Sequence, residues 1–186
     1  QCYSRRGLDV VAATNISTTA NNLFNVVFMS MGNAIAIIVG QQLGANEIKK
    51  AKTTVWRLLA LSVATCLIMG GLMATAAPFI PLIYNTTSAV RGLATELLFV
   101  VAAMMPFYAF AHGCYFTLRS GGKTWITFLF DSAYLWVISI PVARMLSTGT
   151  DWHIVLVYGI CQFIDIIKCI IGYVLLKRKV WINRIV

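Results

Sequence analysis

Apolar residues along this chain gather into five long runs, at about 10–39, 55–80, 90–117, 125–146 and 153–176, with short polar stretches between them. About 20 helical residues rise 30 Å, the depth of a bilayer's hydrocarbon core, so each run predicts a membrane-spanning helix. Within lipid a helix satisfies every backbone N–H and C=O inside one segment, and no strand pattern of period two competes here. The polar stretches 41–54, 81–89, 118–124 and 147–152 are too short to hold a soluble domain, and a basic tail follows Lys177. The expected fold class is therefore all-α: a polytopic transmembrane helical bundle of five spans, with residues 1–186 forming a single transmembrane domain. Pro106 and Pro141 fall inside the third and fourth runs. Each removes a backbone hydrogen bond and allows a bend, which suits a gate but also occurs in membrane helices without one.

Composition agrees with lipid as the solvent. Of the 186 residues 59% are hydrophobic and 11% charged, against about a quarter charged in soluble domains, and the mean hydropathy is +0.79. A net charge of +9 raises the question of nucleic acid. The lysines and arginines, however, sit in the short connections rather than on a basic face interleaved with stacking aromatics, so no nucleic-acid partner is expected. Cys2, Cys66, Cys114, Cys161 and Cys169 show no Cys-x-x-Cys spacing and read as small buried residues rather than metal ligands or disulfides. The chain opens on Gln1 with neither an initiator Met nor a secretory signal, which reads as a fragment.

Charge position sets the expected orientation, because Lys and Arg near span ends stay on the cytoplasmic side. Lys49, Lys50, Lys52, Arg57, Arg119, Lys123, Lys177, Arg178, Lys179 and Arg184 fall at one end of the spans, and Arg5, Arg6, Arg91 and Arg144 at the other. The expected location is the cell (inner) membrane, multi-pass, with the C-terminus cytoplasmic.

Candidate chemistry begins in the first run. Asn15, Thr18, Asn22, Asn25, Met29 and Asn33 advance by three or four residues and stay within roughly 80° of one another on a helical wheel. An unpaired amide in hydrocarbon costs several kcal/mol, so this stripe faces either other helices, as interhelical glue, or a water-filled cavity. A cavity fits better, since packing faces favour small residues over a ladder of Asn. Three charges also lie within spans: Asp131 in the fourth, and Asp165 with Lys168 in the fifth. Such charges need partners. Asp165 and Lys168 are three residues apart and can meet on one helix face. Asp131 and Lys168 lie roughly 10 and 13 Å from the inner ends of their spans, so they can meet across helices. A permanent structural pair and an ion relay that changes partners both fit this arrangement. Tyr108 and His112, one turn apart in the third run, are candidate cavity residues. Phe24, Phe28, Met104, Met105, Phe107 and Tyr134 would make an adaptable apolar lining, although such residues commonly just pack. Glu96 lies near an outer span end and reaches water.

Enzyme chemistry finds no foothold. Gly122-Lys123-Thr124 echoes the end of a phosphate-binding loop, but Thr117 occupies the place of the required earlier Gly and no strand precedes it. No metalloprotease His pair, nucleophile elbow or Cys/His metal spacing is present, so no metal site, no catalytic residue and no cofactor are expected beyond a coupling ion. A membrane-embedded transferase would need acidic residues at a membrane surface to hold metal, and the inner connections contain only Glu47. A non-transporting scaffold is a further alternative; it predicts that Asn22 or Asn25 tolerates Leu.

Two connections carry a family resemblance. Gly40-Gln41-Gln42-Leu43-Gly44-Ala45-Asn46, followed by Lys and Ala, and Leu118-Arg119-Ser120-Gly121-Gly122-Lys123-Thr124 resemble motifs of the multidrug and toxic compound extrusion (MATE) family, and Asp165, Lys168 and Trp181 look like its last helix and tail. In that family the first motif ends the eighth helix and the second joins the tenth to the eleventh, both on the cytoplasmic side. The resemblance implies two six-helix lobes around a central cavity, exporting small organic, often cationic or amphipathic, compounds against a Na⁺ or H⁺ gradient. This chain would supply the last five helices of the C-terminal lobe, its partner being the missing N-terminal lobe. Sodium-coupled members carry a carboxylate midway along the tenth helix where this chain has Tyr108, a departure that sets the C-lobe sodium site in question. A lipid-linked saccharide flippase of the same superfamily is the near alternative; it would favour a groove lined with Arg and Lys.

Overall fold

The computed structural model describes residues 8–122, 124–149 and 154–182. Among these there is no strand, and five helices are long and apolar enough to cross a membrane: α1 Leu8–Gly44, α2 Ile48–Ala76, α3 Ser88–Ser120, α4 Trp125–Met145 and α5 Ile154–Lys177. A short 3₁₀ turn, Ile80–Ile83, lies between α2 and α3. The helices outrun some of the apolar runs. The polar stretch 41–54 is helical except at residues 45–47, because hydrogen bonding continues past the apolar stretch until a stop signal ends it.

Those stop signals are local and alike. Asn46, Gly122 and Lys179 have φ of 59°, 73° and 57°, and each follows the end of a helix at the same end of the bundle. At Asn46 the Glu47 N–H donates to the Gln42 carbonyl and the Asn46 N–H to Leu43, both at 2.9–3.0 Å. The pattern repeats at Lys179, where Val180 donates to Leu175 and Lys179 to Leu176. This crossed pair satisfies carbonyls that a helix end leaves open. At the opposite end the Thr87 hydroxyl caps α3 by accepting from the Val90 N–H.

Helix α3 is the centre of the bundle and packs on α1, α2 and α5. Close approach, not apolar burial alone, holds helices together in lipid, so the crossings carry small residues. Gly70 of α2 faces the Ala102 carbonyl of α3, and a Cβ there would come 2.8 Å from that oxygen. Ala102 is four residues before Pro106, so this carbonyl is the one Pro106 leaves without a helical donor. Gly121 faces the Trp181 backbone, which sets the tail under the turn after α3. Trp181 is buried with Leu43, Ala51, Val55, Leu118 and Leu176 in one cluster at the charged end. Outward faces carry exposed Leu61, Leu67, Ile68 and Leu72 of α2, as lipid contact requires.

The last two helices are irregular. Helix α4 widens into π-helical turns over Leu129–Ala133 and Leu135–Ser139, immediately before Pro141, whose ring and missing N–H prevent regular turns there. Helix α5 breaks at Asp165, between Ile154–Ile164 and Ile166–Lys177.

Candidate functional site

The α5 break builds the site. The Asp165 N–H donates to Gln162 at 3.1 Å and the Lys168 N–H to Asp165 at 3.0 Å, a tighter spacing than α-helix. The Ile164 carbonyl, which Lys168 would serve in a regular helix, instead accepts from the Tyr134 hydroxyl of α4 at 2.5 Å. The same Tyr134 ring lies 5.1 Å under the Lys168 ammonium, a cation–π contact. Lys168 Nζ reaches across to Asp131 Oδ1 at 2.9 Å, so Lys168 takes the interhelical partner rather than Asp165 on its own helix. Asp165 makes no ion pair among the described residues. The buried hydroxyl of Ser139 stands beside it without completing a hydrogen bond.

These groups open onto a cavity of about 360 Å³ lined by Met29, Tyr108, Ala111, His112, Tyr115, Phe116, Arg119, Phe130, Asp131, Asp165 and Lys168. His112 Nδ1 lies 3.0 Å from the Tyr108 carbonyl one turn earlier, which orients its ring. Gln162 donates to the Tyr158 hydroxyl at 3.1 Å. The walls are largely aromatic, with Arg119 among them, and Asp165 lies near Lys168 without a direct ion pair to it. The aromatic walls and the Asp165 carboxylate suit an organic cation or a small inorganic one.

The Asn stripe adjoins this cavity. Asn22, Asn25, Met29 and Asn33 line a groove of about 400 Å³ along α1, which shares Met29 with the charged cavity. A third hollow of about 320 Å³ shares Asn33 with the groove, and Phe116 and Arg119 with the charged cavity. Asn15, Thr18, Asn22, Met29 and Asn33 are exposed and Asn25 half-buried. No side-chain hydrogen bond joins Asn15, Asn22, Asn25 or Asn33 to another helix among the described residues. The opposite face of α1, with Ala13, Ile16, Phe28, Ile35 and Val39, is the buried one.

The motif residues serve the ends of helices. Gly40, Gln41 and Gly44 lie in the closing turns of α1, with Gln41 accepting from the Ala45 N–H at 2.9 Å. Gly122 supplies a left-handed turn, and Thr124 begins the next helical segment, its side chain lying outside the described residues. Arg119 has a second position, on the cavity wall. Tyr115, Phe116 and Phe130 of that wall were not legible as site residues, because aromatics in spans mostly pack. Gln162 had a usable signal: an amide three residues before Asp165 in an apolar run.

Comparison with known proteins agrees with this picture. Three proteins named probable multidrug resistance protein NorM, from Bacillus cereus, Bacillus thuringiensis subsp. konkukian and Bacillus anthracis, are each 28% identical over 149 residues, 75% of this chain and 33% of theirs. The chain thus spans about a third of the length of the relatives it matches. No solved structure matches it. Residues 2–145 match the MatE family, and with five spanning helices in place the chain belongs to that family of multi-pass membrane proteins.

Proposed function

We propose that this chain is part of a secondary active efflux transporter, not an enzyme, exporting small organic cations or amphipathic drugs across the cell membrane in exchange for Na⁺ or H⁺ by alternating access. The observation that carries the reading is the aromatic cavity on which Asp131, Asp165 and Lys168 converge beside the Asn groove. Its about 360 Å³ falls in the range of small-ligand sites. Its lining is largely aromatic, its two cations Arg119 and Lys168 are matched in number by Asp131 and Asp165, and Lys168 is already paired to Asp131, a balance that favours a drug over a lipid-linked saccharide.

The mechanism follows from competition for carboxylates. With Lys168 on Asp131, Asp165 is open to a cation. A shift of Lys168 to Asp165, three residues away on the same helix, displaces that cation and frees Asp131. The two arrangements bind cations differently, and such a difference is what lets a ligand drive a conformational change. The π-helical turns of α4 and the break in α5 are the places where this shift needs least rearrangement of regular helix. The N-terminal lobe, on this reading, closes the cavity over the Asn groove, and the charged end with the C-terminus faces the cytoplasm. No cofactor is involved beyond the coupling ion.

The test is accumulation of a fluorescent organic cation in cells expressing the full-length gene, with the Na⁺ and H⁺ gradients collapsed separately. Export should fall when one of the two is removed. Unchanged export under both collapses refutes antiport.

A further inference from the structure

At the charged end, α2 and α5 both pack on α3. Trp56 of α2 and Tyr173 of α5 meet there edge to face, ring centroids 5.8 Å apart, yet 42% and 44% exposed. Lys177, one turn beyond Tyr173, lays its ammonium 5.8 Å from the Tyr173 ring. It does so because side chains lean toward their helix's N-terminus, which for α5 points back into the membrane. On α2, whose N-terminus is at this same end, Lys52 lies one turn toward water from Trp56. The aromatic pair thus sits at the depth where amphipathic rings collect, with the Lys177 ammonium against it and Lys52 one helical turn nearer the water on the neighbouring helix.

These charges lack counter-ions among the described residues. Glu47 is the one acidic residue of the sequence at this end, and it pairs with Lys50 at 3.0 Å. Neither Lys52 nor Lys177 has an acidic partner among the described residues, and Lys52 is only partly exposed. The described residues leave these two charges unmatched, and the aromatic pair adjoins faces of α5 whose exposed residues, such as Ile170 and Val174, are apolar. An acyl chain fits those faces, and a phosphate fits the two ammonium groups.

We propose that the α2–α5 surface formed by Trp56 and Tyr173, with Lys177 against the Tyr173 ring and Lys52 one turn nearer the water, binds an anionic glycerophospholipid from the adjoining leaflet. The site is independent of the transported substrate. It is tested by native mass spectrometry of the complete transporter in detergent with equal amounts of phosphatidylglycerol and phosphatidylcholine of matched chains. The wild type should retain phosphatidylglycerol preferentially. Lys52→Gln with Lys177→Gln should weaken that retention roughly 30-fold, and Trp56→Ala should weaken it with both lysines in place. Arg178→Gln with Lys179→Gln removes the same charge from the same end and should leave most of it. Added inorganic phosphate should not compete, since it lacks the chains. A double variant that has misfolded shows as a lowered melting temperature; Lys177→Arg, which keeps the charge, then decides, with retention preserved if the site is real. Equal loss in both double variants, loss in Lys177→Arg, displacement by inorganic phosphate, or no preference in the wild type overturns the proposal.

Discussion

At the scale of single residues, the charged core rests on Lys168, which joins Asp131 at 2.9 Å and covers Tyr134 at 5.1 Å. Lys168 is 17% exposed and Asp131 60% in this five-helix chain, so the pair is part-buried and worth less than a fully buried one. Asp131→Asn or Lys168→Gln alone should lower stability by about 1–2 kcal/mol. The double variant should recover much of that, because no unpaired charge is left. Transport separates the structural role from the relay: recovery of stability with export still abolished supports partner exchange, and recovery of both leaves only a structural pair. That Asp131 could reach Lys168 was legible from rise per residue, since both count to similar depths. Asp165 on the same helix was a candidate as well, and only the packing of α4 on α5 decides between them. The role of Tyr134 was not legible, because nothing in the sequence distinguishes an aromatic that serves a carbonyl from one that fills space.

At the scale of elements, five apolar runs gave five helices, and the two family-like loops marked two of the four turns between them. The irregularities of α4 and α5 divide by cause. Pro141 marked α4 in advance, though a bend and a widened turn are equally open to a helix that has lost a donor. The break at Asp165 left no mark, since the run from Ile154 to Lys177 contains no Pro and its Gly residues, Gly159 and Gly172, lie elsewhere. The break is stabilised from outside, by the Tyr134 hydroxyl on the Ile164 carbonyl. Tyr134→Phe should therefore cost about 0.6–1.7 kcal/mol, the range of interhelical hydrogen bonds in membranes. Hydrogen exchange should also rise at residues 164–168 while α3 stays protected. Unchanged exchange at the break would show that α5 holds this shape without α4.

At the scale of the whole molecule, lipid explains the outward leucines, and Asn22, Asn25 and Asn33 line an open groove. The sequence marks this face as one kept out of hydrocarbon, because burying an amide there costs too much to occur without compensation. The joining of the groove to the charged cavity was not legible, since it depends on how α1 rotates against α3. The claim on which all else depends is that this α1 face meets water while the leucines of α2 meet acyl chains. It is measured by replacing the native cysteines of the complete transporter and placing single cysteines at Asn22, Asn25, Met29 and Asn33, and at Leu61, Leu67 and Leu72. In native membranes the α1 positions should react with a hydrophilic thiol reagent and be slowed by a transported cation, and the α2 positions should stay unmodified. Equal reactivity of the two sets, or silence along α1, would contradict the account.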